Sequence, residues 1–332
     1  MLTLRLLTLL LFCALTMNVL RGQDLHYSQF YHNPLHLSPA LTGIFRGDLR
    51  AAASYRSQWK SVPVSYQTFA GTVDWKTLKR DANLLSVGLQ IQHDGAGDAG
   101  LTWTQVGATA SVAHALGERQ ALSAGVGLAV AQRSFDISKL TFKNQWAGDQ
   151  FSSSLPTGED FGKSSGFAPT LSAGLNWHYE PAQSRTRLDI GAGAFHLNAP
   201  KVNFRDDTDQ RLPMRLALMF NGALQTGEFT DVVAFGATQQ MGKAREILAG
   251  AGVRRAVSED VAVQFTLGTR VGDAIIPAFQ VDWLNWTAGL SYDLNISDFD
   301  VATRGRGGIE IAVVYRTLPV PPVKTFKSCP IF

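Results

Sequence analysis

Residues 84–92 read LLSVGLQIQ, and this short run decides the fold. Leu85, Val87, Leu89 and Ile91 alternate with Ser86, Gly88, Gln90 and Gln92. A period of two is the mark of a strand with one apolar face and one small or polar face. Outward from this run the same alternation recurs at residues 171–178, 261–271 and 309–316. In the second, Leu171, Ala173, Leu175 and Trp177 share a face; in the third, Val261, Val263, Phe265, Leu267 and Val271; in the last, Ile309, Ile311, Val313 and Tyr315.

Carried along the whole chain, the pattern predicts about 14 strands, most near the length that crosses a bilayer with tilt. They fall at 49–58, 65–76, 83–93, 102–114, 119–132, 167–179, 186–197, 212–226, 229–241, 244–256, 260–271, 274–282, 285–295 and 308–317. The long connections 94–101, 133–166, 198–211 and 296–307 all join an odd strand to the next even one. The alternate connections, such as 115–118, 227–228 and 258–259, are tight, and the odd connections at 242–243 and 272–273 are short as well, so the asymmetry is incomplete. Long loops at one end and short turns at the other are what a transmembrane β-barrel predicts when both chain ends lie in the periplasm.

Composition agrees. Charged residues make up 17%, below the globular norm of about 25%. The 31 glycines accompany only average apolar content. A soluble β-sandwich would also alternate, but its outer face and edges would carry Lys and Glu. Here the non-apolar face is Gly, Ala, Ser and Gln, and the strand charges Asp189, Arg254, Arg270, Asp293 and Glu310 all lie on it. A basic residue facing lipid at mid-bilayer costs about 2–4 kcal/mol, so that face is expected to be the lumen. Trp59, Trp75, Trp103, Trp177, Tyr179, Trp286 and Tyr292 are expected near strand ends, as an interfacial girdle.

Residues 1–22 are expected to be a signal peptide: Arg5 gives the basic start, residues 6–15 the apolar core, and Gly22 the cleavage point. No second long apolar run follows, which excludes a helical bundle, since each helical span needs about 20 apolar residues. Removing Arg5 and Arg21 from the 30 basic residues leaves 28 against 27 acidic ones, a balance that argues against a nucleic-acid partner. Cys329 is then the one cysteine left, so no internal disulfide can form.

Signals for chemistry are weak. The chain has no G-x-S-x-G, no H-E-x-x-H and no phosphate loop. His26, His32 and His36 cluster ahead of the first strand, and packing explains them better than a metal. His114 and His178 at strand ends would be the only histidines for a membrane-embedded lipid hydrolase or acyltransferase. Asp206, Asp207 and Asp209 lack EF-hand spacing and read as solvated loop charge. Gly125–Gly127 and Gly191–Gly193 lie within strands, as close-packing or bend positions. The aromatic loop 133–166, with Phe135, Phe142, Trp146 and Phe151, is expected to plug the lumen or face a partner. No catalytic, metal-binding or cofactor-binding residue is expected.

Residues 23–48 are a lead-in, QDLHYSQFYHNPLHLSPALTGIFRGD, with Asn33-Pro34 and Ser38-Pro39 as turns. Tyr27, Phe30 and Tyr31 need burial, and with lipid outside the barrel only the lumen or a partner can supply it. Residues 33–43 are therefore expected to dock at the periplasmic mouth or in the interior. This division gives a signal peptide at 1–22, a lead-in at 23–48, a barrel at 49–317 and a periplasmic tail at 318–332.

Several motifs together resemble the PorP/SprF family of the bacterial type IX secretion system. They are Ser28-Gln29-Phe30-Tyr31, Asn33-Pro34-Leu35, Ser38-Pro39-Ala40-Leu41-Thr42-Gly43 and Tyr55-Arg56-Ser57-Gln58-Trp59. Further along stand His196-Leu197-Asn198 with Pro200, Leu212-Pro213-Met214-Arg215, Ser291-Tyr292-Asp293-Leu294-Asn295 and Gly307-Gly308-Ile309-Glu310. The chain ends Cys329-Pro330-Ile331-Phe332. The resemblance implies an all-β outer-membrane barrel without enzymatic activity or cofactor. It marks Gln29, Phe30, Asn33, Pro34, Pro39, Gly43, Tyr55, Arg56, Trp59, Cys329, Pro330 and Phe332 as partner or structural motif residues. It implies as partners the periplasmic ring and its lipoproteins, or a secreted surface protein, such as a gliding adhesin, bound through its C-terminal sorting domain. The alternative, motivated by a lumen lined with small and polar residues, is a diffusion channel or a transporter of small hydrophobic molecules.

Overall fold

In the computed structural model, residues 25–58, 66–97, 99–160, 162–202, 204, 210–297 and 306–317 are described. The segment 1–22 expected to be a signal peptide, Trp59, the acidic cluster at 206–209 and residues 318–332 with Cys329, Pro330 and Phe332 lie outside them. The strands are β1 (Leu49–Gln58), β2 (Tyr66–Arg80), β3 (Asn83–Ala96), β4 (Leu101–Ala115), β5 (Gln120–Ser134), the two-residue β6 (Trp146–Ala147) and β7 (Gln150–Phe151), β8 (Ser165–Tyr179), β9 (Arg187–Phe195), β10 (Arg215–Gln225), β11 (Thr230–Met241), β12 (Ala244–Ala256), β13 (Val261–Arg270), β14 (Ala274–Trp283), β15 (Trp286–Asn295) and β16 (Arg306–Arg316).

All but β6 and β7 form one closed barrel in which chain neighbours are sheet neighbours. Closure joins β1 to β16 in antiparallel register, from Arg50 opposite Arg316 to Gln58 opposite Gly308. A closed sheet leaves no unpaired edge, the condition for strands to stand in hydrocarbon. Every ladder is antiparallel, so the 14 barrel strands expected from the alternation are present.

Parity sets the two faces. In β5, Leu122, Val126, Leu128 and Val130 point outward and are 49–61% exposed, while Ser123, Ala129 and Ala131 point inward and are buried. The charges assigned to the polar face follow: Arg270, Asp293 and Glu310 are buried inside the barrel.

Two expectations need correction. The connection at 94–101 is not long: β3 and β4 run on to pair Asp94 with Trp103, leaving a turn at 97–100. Trp103 is not a girdle residue. It shares the inward face with Gln105 and Thr109 and packs on the lumenal core. Parity, not nearness to a strand end, decides which way an aromatic points. Outward aromatics at the short-turn end pair on β8 and across β15–β16. Trp177 stacks on Tyr179 with centroids 6.1 Å apart, and Trp286 lies 4.9 Å from Tyr315.

The loop 135–164 holds the small β6–β7 hairpin, where Trp146 and Phe151 are exposed. It does not supply the filling of the lumen; the lead-in does. Residues 30–32, 34–36 and 39–41 are single turns of 3-10 helix inside the barrel.

Candidate functional site: the filled lumen and its short-turn mouth

From its first described residues the lead-in runs beside the long-loop halves of the strands, where His26 lies 3.8 Å from Glu246, and it leaves at the end where the short turns lie. Its turns follow from its prolines. Pro34 and Pro39 each open a 3-10 turn, a position where the missing N–H costs nothing. Ser38 precedes Pro39 in extended conformation, and its hydroxyl accepts from the Ala40 amide at 3.3 Å.

Leu35, Leu37 and Ala40 are wholly buried, and Phe30 and Tyr27 are 2% exposed. Phe30 and Tyr31 both meet Phe235 of β11, with centroids 5.8 and 4.9 Å apart. The barrel wall is cut away to admit this segment. A Cβ on Gly193 would sit 2.1 Å from the Leu37 carbonyl oxygen, and one on Gly174 2.2 Å from Ser38 Oγ. These glycines allow backbone to approach backbone.

Three buried polar clusters hold the lead-in. In the first, Arg56 Nη2 donates to Asp293 Oδ2 at 2.6 Å and Arg270 Nη1 to the same oxygen at 2.9 Å. Ser28 Oγ donates to Asp293 Oδ1 at 2.7 Å. The amides of Ser28 and Gln29 donate to the Glu310 carboxylate at 2.7 and 2.9 Å. The Gln29 side chain donates to the Glu310 carbonyl and to Ser291 Oγ, at 3.0 and 3.1 Å. Arg56 also donates to the His26 carbonyl at 2.7 Å.

In the second cluster, Arg215 donates to the His36 carbonyl at 2.9 Å, and its guanidinium lies 4.1 Å over the Phe195 ring. His36 Nε2 lies 2.6 Å from the Leu25 carbonyl oxygen, and Gln92 donates to Nδ1 at 3.2 Å. The third cluster fixes the exit. Arg50 forms a two-point pair with Asp74 at 2.9 and 2.8 Å, and Asp74 accepts from the Gly43 amide at 2.7 Å. Gly43 takes φ +76°, a conformation that favours glycine, and a Cβ there would lie 2.0 Å from Ser86 Oγ.

The structure thus gathers Gln29, Phe30, Asn33, Pro34, Pro39, Gly43 and Arg56 in the lumen. Asn33 is buried; its backbone N–H donates to the Phe30 carbonyl at 2.9 Å, while its side-chain amide has no hydrogen-bond partner among the described residues. Tyr55 stands apart on the outward face at 38% exposed. Sequence reasoning missed Arg50, Asp74, Arg215 and His36 as members of these clusters. The signal for Arg50 and Asp74 was their inward parity within a strand.

At the short-turn end, His178 is held from both sides. Its Nδ1 lies 2.8 Å from Asp189 and its Nε2 3.1 Å from Glu180, so neither nitrogen is placed to take a proton from a serine. Arg46 of the lead-in pairs with Glu180 as well. Burial would raise the Glu180 carboxyl, but the hydrogen bond from His178 and the Arg46 charge hold it down at about 2. Between the lead-in and the turns lies an open pocket of about 790 Å³.

Among solved structures, the chain is similar to the Ralstonia pickettii toluene transporter TbuX, at 9% identity and TM-score 0.52, covering 86% of this chain and 92% of that one. It also matches a Pseudomonas aeruginosa FadL homologue at 8% identity and TM-score 0.47, covering 84% and 92%. At such identity the likeness to TbuX speaks for the outer-membrane barrel fold alone. A comparison with curated proteins finds no match. The sequence matches the family described as type IX secretion system membrane protein PorP/SprF over residues 19–315, nearly the whole chain. The chain therefore belongs to the PorP/SprF family, as an outer-membrane β-barrel of the type IX secretion system.

Proposed function

We propose that this barrel is closed to solutes and has no enzymatic activity, and that it serves the export or surface attachment of a partner protein by the type IX machinery. The observation that carries this reading is the lead-in packed through the lumen. Its ties include buried charges, and breaking one partner of such a pair costs about 3–5 kcal/mol. A solute path would have to displace these ties together. What remains for a partner is the outer loops and the periplasmic mouth. A secreted surface protein with a C-terminal sorting domain would meet the barrel there, or the periplasmic ring and its lipoproteins would. Deleting the gene tests this: surface display of one partner protein is lost while other outer-membrane proteins stay. An unchanged surface proteome overturns it.

The alternative is a diffusion channel or a transporter of small hydrophobic molecules; TbuX is described as a toluene transporter. A lumen lined with small and polar residues motivates it, and the lead-in that fills that lumen opposes it. Uptake of toluene by vesicles carrying the purified barrel would favour the alternative; no uptake above that of empty vesicles favours closure.

A further inference from the structure

In the short-turn half of the lumen, the inward carboxylates have basic partners. Asp74 is held by Arg50, Asp189 by His178, and Glu180 by Arg46 and His178. Asp231 accepts from Arg185 at 2.9 Å and from Arg254 at 3.1 Å, and Asp282 accepts from Arg254 at 2.8 Å.

Two arginines are left over. Arg187 opens β9 and shares the inward parity of Asp189; it is exposed, and among the described residues no acidic side chain pairs with it. Arg316 ends β16 and shares the inward parity of the buried Val314. It is half-buried, and among the described residues its guanidinium reaches Thr287 Oγ1 alone, at 3.4 Å. The two arginines stand on opposite walls, with six strands between them either way round the barrel. Yet of the charges around Arg316, that of Arg187 acts most strongly, and it has the same sign. Arg50 adds another like charge, and the acids within reach, Asp282 and Asp74, are already engaged by Arg254 and Arg50.

Further in, His32 of the lead-in roofs the same space. It is 5% exposed, and neither ring nitrogen has a hydrogen-bond partner among the described residues. Its Nε2 lies 3.0 Å from where a Cβ on Gly289 would stand, and Gly289 pairs with Gln280, whose side chain approaches the ring. The charges that reach His32 are those of Arg316, Asp282 and Arg187. A buried imidazole and two guanidiniums without a carboxylate partner thus share one space at the short-turn mouth.

We propose that this space binds a phosphate group, free or as a monoester, entering from the short-turn end. Like charges held together away from water are costly until a counter-charge joins them. A phosphate group brings about −1.5 to −2 at pH 7 and three acceptor oxygens, which answers two arginines. A carboxylate brings a single charge and would leave one arginine uncompensated. Arg187 and Arg316 take the oxygens, each able to donate two hydrogen bonds from its planar fork, and His32 donates its N–H from within.

The full chain, purified in detergent without phosphate, is titrated with inorganic phosphate and, in a second arm, with glycerol phosphate, each against chloride at matched ionic strength. Calorimetry reads the binding. Arg187→Gln carries the test, because no ion pair is lost with that side chain. The expected result is saturable binding by the wild type, and binding at least about tenfold weaker by Arg187→Gln and by Arg316→Gln, as loss of a charged hydrogen bond implies. Arg255→Gln, exposed and outward on β12, should bind as the wild type does. Without phosphate, Arg187→Gln should be no less stable than the wild type, since it removes a repulsion. Should Arg316→Gln not fold, Arg187→Gln decides alone. Binding in the first arm only assigns the site to the free anion, and binding in both admits a monoester. Absence of saturable binding in either arm overturns the proposal, and so does equal binding by the wild type and Arg187→Gln.

Discussion

Arg56 on β1 and Asp293 on β15 stand 237 positions apart in sequence, yet a guanidinium nitrogen of one lies 2.6 Å from a carboxylate oxygen of the other, inside the barrel. Barrel closure makes the meeting possible: β16 separates the two strands and contributes Glu310, which lies opposite Arg56 in the β1–β16 register. The three residues are 1–2% exposed, and Ser28 and Gln29 of the lead-in donate to the Asp293 and Glu310 carboxylates. Wall and filling share one polar cluster.

Removing two members together should therefore cost less than the sum of removing each alone. Asp293→Asn is expected to destabilise the folded barrel by about 3–5 kcal/mol, because it leaves Arg56 and Arg270 without their shared partner. Arg56→Met combined with Asp293→Asn should lose less than the sum of the single changes. Urea titration in detergent, read by gel migration of folded and unfolded forms, measures both. Strict additivity would show that the pair does not act together.

Gly193→Val should loosen the lead-in without opening the sheet. The new side chain would occupy the space of the Leu37 carbonyl, 2.1 Å from the ideal Cβ. The expected cost is about 1–3 kcal/mol, with greater proteolysis of residues 25–43. Ala192→Val, one position along on the outward face, should leave both unchanged. Equal effects from the two variants would contradict the inward parity of Gly193.

Val126→Arg tests the outward assignment. Val126 lies within β5 and is 61% exposed on the lipid side. An arginine there should cost about 2–4 kcal/mol if it sits near the bilayer midplane. Folding into lipid vesicles at full yield and unchanged stability would mean that this face does not meet hydrocarbon.

Glu180 gives a pH dependence whose sign is fixed. Its folded pKa, about 2, lies below the ordinary carboxylate value of 4.5. Its contribution is thus present above about pH 4.5 and is lost as the pH falls towards 2. Because Arg46 is more than half exposed, screening reduces the contribution to about 1–2 kcal/mol. Wild type should exceed Glu180→Gln in stability by that amount at pH 7, and the difference should vanish near pH 2. A difference that stays constant over this range would remove Glu180 from the cause.

Much of the fold was legible because a strand between lipid and lumen must alternate, and runs such as 84–92 do so plainly. The lumenal sign was legible too, since Arg270, Asp293 and Glu310 could not face hydrocarbon. The need of Phe30 and Tyr31 for burial was visible in the sequence. The partners were not. Which inward charge meets which depends on the stagger of strands at closure, and a pattern of period two carries no information about stagger. Trp103 was misassigned because its nearness to a strand end was weighed above its parity with Gln105. The turn at 97–100 was overestimated because His93, Asp94 and Gly95 have loop-like chemistry; in the barrel Thr68 donates to Asp94 at 2.6 Å and these residues stay in the sheet.

The central claim is that the chain's own lead-in closes the barrel, and conductance across a planar bilayer tests it most directly. The purified full chain should insert without steady ion current, and a chain lacking residues 25–43 should conduct through a barrel of unchanged strand content. A large, stable current from the full chain would contradict the account.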